Sequence, residues 1–151
     1  MLSYFCLACL LCITTIAGAA DTDTIHSRFV KDDFVITIKK PPQFSPQKKY
    51  YHVYMTDGSL GIGDYVLGKS ESWKATVPAN CIIIAIAHIG DWHDKRPRDF
   101  IPSDMSANTE TNFGKADKFY LFLQQELIPA IEKKLPNRKE RVFIGHSFGG
   151  L

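Results

Sequence analysis

The seven residues Cys81-Ile82-Ile83-Ile84-Ala85-Ile86-Ala87 restrict the possible folds more than any other stretch of this chain. Successive side chains of a strand point to opposite faces, so an unbroken apolar run places hydrocarbon on both. Such a strand is stable where both faces are covered, as in the centre of a parallel sheet flanked by helices. An α/β architecture is therefore expected.

The segments on either side fit that expectation. Ile25 to Val30 and Phe34 to Ile38 are two short strand candidates, with Asp32-Asp33 as the turn between them. The second alternates Phe34, Ile36 and Ile38 against Val35 and Thr37. Pro41-Pro42 ends it, because proline has no N–H to give a ladder. Tyr50 to Met55 is aromatic-rich and reads as a third strand, closed by Thr56-Asp57-Gly58-Ser59, which is turn chemistry. Asp64 to Trp73 is a modest helix candidate. Residues 88 to 113 hold Pro97 and Pro102 and read as a long irregular stretch, of the kind that is often functional.

Lys115 to Lys134 is the clearest helix. Phe119, Leu123, Leu127 and Ile131 recur at every fourth residue, and Phe122 and Ala130 widen the stripe. Pro129 within it predicts a kink or a fresh turn, and Pro136 ends it. Arg141 to Ile144 is the last strand. Antiparallel strands first, then strands alternating with helices, predict a mostly parallel sheet with flanking helices.

The chain has 151 residues, is 45% hydrophobic and carries a net charge of +2, a globular balance. Near-neutrality gives no reason to expect nucleic acid or an acidic membrane surface as a partner. The densest basic stretch, Lys133, Lys134, Arg138, Lys139 and Arg141, is interspersed with Glu132 and Glu140. It reads as a solvated helix end, where cations suit the helix dipole.

Residues 1–20 carry no charged side chain; Leu2 to Ile16 is mostly apolar and Ala17-Gly18-Ala19-Ala20 supplies small residues. This is the shape of a secretory signal peptide cleaved after Ala19 or Ala20, leaving a domain over residues 21–151. The apolar run is short of the ~20 residues of a stable membrane span. An exported, secreted or periplasmic protein is expected. Cys6, Cys9 and Cys12 would leave with the leader. Cys81, alone in its apolar run, reads as a core thiol without a disulfide partner.

The strand Val142-Phe143-Ile144 feeds directly into Gly145-His146-Ser147-Phe148-Gly149-Gly150. Gly-x-Ser-x-Gly after a strand is the pattern of a nucleophile elbow, a sharp turn that lifts the Ser hydroxyl above the sheet. Glycines are needed there because a Cβ would clash in so tight a turn. Ser147 is thus the candidate nucleophile, and the Phe148 N–H faces the place where an oxyanion would develop. A second oxyanion donor should come from the loop after the third strand, where Asp57-Gly58-Ser59 lies, so Gly58 and Ser59 are candidates.

A Ser nucleophile needs a base and an orienting carboxylate, in this fold in the chain order Ser, acid, His. His26, His52, His88, His93 and His146 all precede Ser147. The expectation is a domain truncated after the nucleophile strand, whose triad is incomplete in this chain. His88, Asp91 and His93 lack a fourth partner at convincing metal spacing and read as a polar loop. No metal or other cofactor is expected.

Three segments carry a family resemblance: Tyr54-Met55-Thr56-Asp57-Gly58; Arg96-Pro97-Arg98-Asp99-Phe100-Ile101-Pro102; and Glu126-Leu127-Ile128-Pro129-Ala130-Ile131-Glu132 leading into the elbow. Together they resemble the esterase branch of the α/β-hydrolases that includes esterase D-like S-formylglutathione hydrolases and siderophore esterases. The resemblance spans roughly residues 25 to 151, with Ile101 standing where the family commonly has Thr. It implies Ser147 as nucleophile, Gly58 or Ser59 bordering the oxyanion hole, and Arg98 and Asp99 shaping a substrate-side loop. It implies hydrolysis of small carboxylic esters through an acyl-enzyme. An acyltransferase of the same fold, or a non-catalytic fragment, are the alternatives.

Overall fold

The computed structural model describes residues 20–60, 63, 77–103 and 113–150. The leader at 1–20, apart from Ala20, and the helix candidate Asp64 to Trp73 lie outside the described residues.

Five strands form one sheet: β1 (Asp21–Ser27), β2 (Asp32–Lys39), β3 (Tyr50–Met55), β4 (Cys81–His88) and β5 (Arg138–Ile144), in the order β1-β2-β4-β3-β5. β1 pairs antiparallel with β2 and β2 antiparallel with β4. β3 then pairs parallel with both β4 and β5. The sheet is mixed, with its parallel half built on the β4-β3-β5 side. The run from Cys81 is interior, as its two apolar faces require.

The two faces are unequal. Phe34, Ile36 and Ile38 of β2, Tyr50 and Tyr54 of β3, and Ile82, Ile84 and Ile86 of β4 form one large core with the helices. On the opposite face Val53, Met55, Ile83 and Ala85 pack with Val77 in a smaller cluster. Phe34 is fully buried at the centre of the larger core. Its ring stacks on Phe122 at 4.5 Å and meets Phe119 at 5.6 Å. Burying a side chain of this size is worth about 1.5–3 kcal/mol, so the strand register that aims β2 at the helices is strongly held.

The β1–β2 turn falls earlier than Asp32-Asp33. Both aspartates begin β2, and the reversal occupies residues 28–31. The buried Ser27 hydroxyl accepts the N–H groups of Phe29 and Val30, while Lys31 takes a positive φ of 61°. Serine is suited to that local capping. Asp32 is drawn into the strand by Lys95 and Arg98, partners more than sixty residues away in the chain.

The stretch expected to be irregular contains a helix, α1 (Trp92–Phe100). Asp91 caps it by accepting the His93 N–H at 2.8 Å. Pro97 sits inside, where its ring removes one helical hydrogen bond. The helix lacks an apolar stripe and is fixed by ion pairs made by Lys95, Arg96 and Arg98.

The long helix forms as expected but in three parts: α2 (Ala116–Phe122), a π-helical turn (Leu123–Leu127) and α3 (Ile128–Lys134). The Ile128 N–H reaches back five residues to the Leu123 carbonyl. That extra residue places Pro129 in the first turn of α3, where its missing N–H is not needed. Pro129 is thus accommodated by a bulge.

Candidate active site

The carboxyl ends of β3 and β5 lie side by side because the strands are parallel neighbours, and the loops leaving them meet. β5 runs to Ile144, and a 3₁₀ turn begins at once, over Ser147–Gly150. Ser147 has a φ of 54°, a left-handed conformation that a residue with a Cβ adopts at a cost. It is exposed. A Cβ on Gly145 would run into the Gly149 carbonyl, and one on Gly149 into the Thr56 hydroxyl. The glycines that flank Ser147 are therefore fixed by contact. This is the strained strand-to-helix turn expected for an elbow.

The β3 loop is fastened to the elbow at three points. The Thr56 N–H donates to the Ile144 carbonyl at 3.1 Å, and its hydroxyl donates to the Gly149 carbonyl at 3.3 Å. The third link is Arg96 of α1. It binds both carboxylate oxygens of Asp57, at 2.7 and 2.9 Å, and donates to the His146 carbonyl at 3.2 Å. Asp57 is buried and, like Ser147, has a positive φ, of 59°. Asp57 and Arg96 lie in segments singled out in the sequence, but their pairing does not show there, because the groups it joins lie on three separate segments.

Among the expected oxyanion donors, Phe148 follows Ser147 in the turn and has no hydrogen-bond partner for its N–H among the described residues. Gly58 is placed differently. Its N–H is donated to the Ile86 carbonyl at 2.9 Å, and a Cβ there would lie 2.9 Å from that of Ala85. Gly58 thus joins the loop to β4 by close packing, and its N–H is committed. Ser59 is exposed at the turn.

Arg98 and Asp99, expected to shape a substrate-side loop, are placed by the structure in a helix, with Asp99 in the lining of a cleft beside the elbow. They belong to α1 and are buried, Asp99 completely. Arg98 binds both Asp99 oxygens at 2.6 and 2.7 Å and reaches Asp32 at 2.8 Å. Burial alone would lower the Arg98 pKa, but its bonds to the two carboxylates raise it. In sequence the pattern Arg-x-Arg-Asp reads as part of a long irregular stretch. Its partners Asp32 and His88 come from strands distant in the chain, and they turn it inward.

His88 and Asp99 form a pair at 3.0 Å, both buried, with the imidazole against the rings of Phe34 and Phe100. The His88, Asp91, His93 cluster thus separates into this buried pair and the α1 cap. Among the described residues no group of three His, Cys, Asp or Glu comes together as metal ligands. His52 is fully buried, and neither ring nitrogen finds a partner among the described residues. Burial lowers its pKa, against the opposing charge of Glu132. Cys81 is only partly buried, and burial raises its thiol pKa. Glu132 pairs with Arg138 and Arg141 of the basic stretch, and Lys139 donates to the Tyr51 hydroxyl.

The cleft beside the elbow is about 380 Å³ and is lined by Tyr54, Ile86, Asp99, Phe119, Phe143 and Phe148 among others. Ser147 is not part of its lining. Tyr54 carries a buried hydroxyl with no partner among the described residues, and burial raises its pKa.

A mixed sheet with flanking helices and a strained Gly-x-Ser-x-Gly turn closing a parallel strand define an α/β-hydrolase-type fold. The profile of the family described as "Putative esterase" matches residues 27–151, and the chain belongs to that family. It is 25% identical over 151 residues to the ferri-bacillibactin esterase BesA of Bacillus subtilis, covering 91% of this chain and 52% of that protein. The BES protein from Bacillus cereus superposes with a TM-score of 0.66 at 22% identity, over 89% of this chain and 56% of that one. An IroE-like serine hydrolase from Shewanella oneidensis gives 0.64 at 26% identity, over 87% and 44%. The chain spans about half the length of these relatives.

Proposed function

We propose that the full-length protein carrying this chain is an exported serine hydrolase that cleaves small carboxylic esters through an acyl-enzyme on Ser147. The observation that carries this reading is the left-handed Ser147, φ 54°, at the carboxyl end of β5. Backbone strain held by glycine contacts on both sides is the geometry of a nucleophile elbow. The Ser147 oxygen attacks the ester carbonyl carbon, the alcohol leaves, and water then releases the acid from the acylated serine. The Phe148 N–H and the loop at Ser59 are the candidates to face the developing oxyanion.

No histidine follows Ser147 within the 151 residues. No base or orienting acid is assigned among these residues, and the 151 residues alone are expected to turn over no ester. The relatives named for ferri-bacillibactin and for the siderophore triacetylfusarinine C make siderophore esters the first substrates to try.

The test is ester turnover by the full-length protein and its Ser147→Ala variant, on p-nitrophenyl acetate and on ferri-bacillibactin. The expected result is a loss of about 10³-fold or more in Ser147→Ala. Undiminished activity in that variant removes the nucleophile assignment. For export, the expected mature N-terminus is Ala20 or Asp21, read by N-terminal sequencing of secreted material; an intact Met1 there contradicts it.

A further inference from the structure

We propose that Arg96 is a positioning residue that sets the distance between the two sides of the oxyanion site. The inference rests on the reading of Ser147 as nucleophile and deepens it. Its basis is one guanidinium group joined to two strained loops. Nε and Nη2 hold Asp57, whose φ is 59°, and Nη2 also holds the His146 carbonyl, the peptide that leads into Ser147 with its φ of 54°. The side chains of this pair are 13% and 4% exposed, so water competes little for the bonds.

The His146 carbonyl receives a second donor, the Gly149 N–H at 3.0 Å. With both acceptor positions occupied, the peptide between His146 and Ser147 cannot rotate without breaking a hydrogen bond. On the other side the Asp57 carbonyl accepts the Leu60 N–H at 3.0 Å, and Gly58 is tied to Ile86. Each loop is thus rigid by itself, and Arg96 connects them through side-chain bonds, beside the two bonds that Thr56 makes to Ile144 and Gly149. The rings of Trp92, Phe100 and Phe148 lie 5.8–5.9 Å from its charge and enclose it. Arg96 contacts neither Ser147 nor a position where an ester would react, so its effect passes through the two loops. Lysine is a poor substitute, because a point charge does not reproduce the two parallel bonds to one carboxylate.

A change in loop separation affects the transition state more than the bound ester, because oxyanion donors act where charge develops. The experiment compares the full-length protein with Arg96→Gln, Arg96→Lys, Asp57→Asn and the Arg96→Gln/Asp57→Asn double variant. The readouts are kcat and KM on p-nitrophenyl acetate, inhibition by a phenylboronic acid that mimics the tetrahedral intermediate, and the thermal midpoint. Arg96→Gln and Asp57→Asn are each expected to lower kcat about 10–100-fold, with KM within about threefold and boronate inhibition weakened in proportion to kcat. The double variant should be no worse than the worse single one, since the two side chains act as a unit.

Wild-type kcat in folded Arg96→Gln overturns the proposal. So does a loss confined to KM or to the thermal midpoint, or one that leaves boronate inhibition unchanged. If Arg96→Gln does not fold, the near-isosteric Asp57→Asn and the charge-keeping Arg96→Lys decide by the same criteria. Ser147→Ala separates the two readings. Full activity there defeats the nucleophile assignment, whereas an inactive Ser147→Ala beside a fully active Arg96→Gln defeats the clamp alone.

Discussion

At Ser147 a residue with a Cβ is held at a backbone angle that glycine adopts more easily, and its neighbours make this possible. Gly149 lies against Thr56, and an added Cβ would also come within 3.0 Å of the Asp57 carboxylate. Gly150 is less confined, with 3.3 Å to the nearest atom. Gly149→Ala is therefore expected to slow acylation of Ser147 by at least about tenfold, and Gly150→Ala much less, measured as the rate of covalent labelling in the full-length protein. His52 is a second residue-scale case: a buried imidazole with no partner for either nitrogen among the described residues. Replacing it by Leu should raise stability by about 1 kcal/mol, read from urea unfolding, because an unsatisfied polar group is removed from the core. The sharp turn at Ser147 and Phe148 was legible in sequence because the elbow pattern is local. The commitment of the Gly58 N–H to Ile86 was hidden, because it depends on where β4 passes.

Among the elements, α1 best separates local signals from distant ones. Its sequence Trp92-His93-Asp94-Lys95-Arg96-Pro97-Arg98-Asp99-Phe100 has a proline and little apolar period, and so reads as loop. What stabilises it is charge pairing with Asp32 and Asp57 on other segments. The Lys115 to Lys134 helix was legible because its apolar stripe lies within one segment; the π turn that accommodates Pro129 was not. Removing Arg98 would leave the buried Asp99 with His88 as partner but without the guanidinium that it shares with Asp32. Arg98→Met should accordingly cost about 3–5 kcal/mol. Arg28→Ala, which removes an exposed partner of Glu126, should cost under about 1 kcal/mol in the same urea titration.

The same group of charges gives α1 and β2 a pH dependence. Burial of Asp32 works to raise its pKa, but hydrogen bonds from Lys95, Arg98 and the Asp33 N–H outweigh it and bring the value to about 2. The folded value is below the unfolded one, so the ionised form favours the fold. Its contribution is complete above about pH 4 and is lost as pH falls through about 2. Thermal midpoints measured from pH 5 to pH 2 should show that fall, and Asp32→Asn should make it shallower.

For the whole molecule, the order β1-β2-β4-β3-β5 puts the strand that carries Ser147 at one end of the described sheet. Val142, Phe143 and Ile144 of β5 are 37%, 55% and 43% exposed, and the Phe148 ring is exposed too. Apolar side chains on an open strand edge favour association. The 151-residue chain by itself should therefore self-associate, and Phe143→Lys should reduce this in light scattering at matched concentration. The general architecture was readable from the run at Cys81 and the order of strands and helices. The antiparallel pairing of β2 with β4 was not, because strand order across a sheet has no local signature.

Ser147 is the proposed nucleophile. The most direct measurement is to treat the full-length protein with a fluorophosphonate probe, digest it and locate the adduct by mass spectrometry. One phosphonylated residue is predicted, Ser147, with labelling absent in Ser147→Ala. An adduct on another residue, or labelling that persists in Ser147→Ala, would contradict the account.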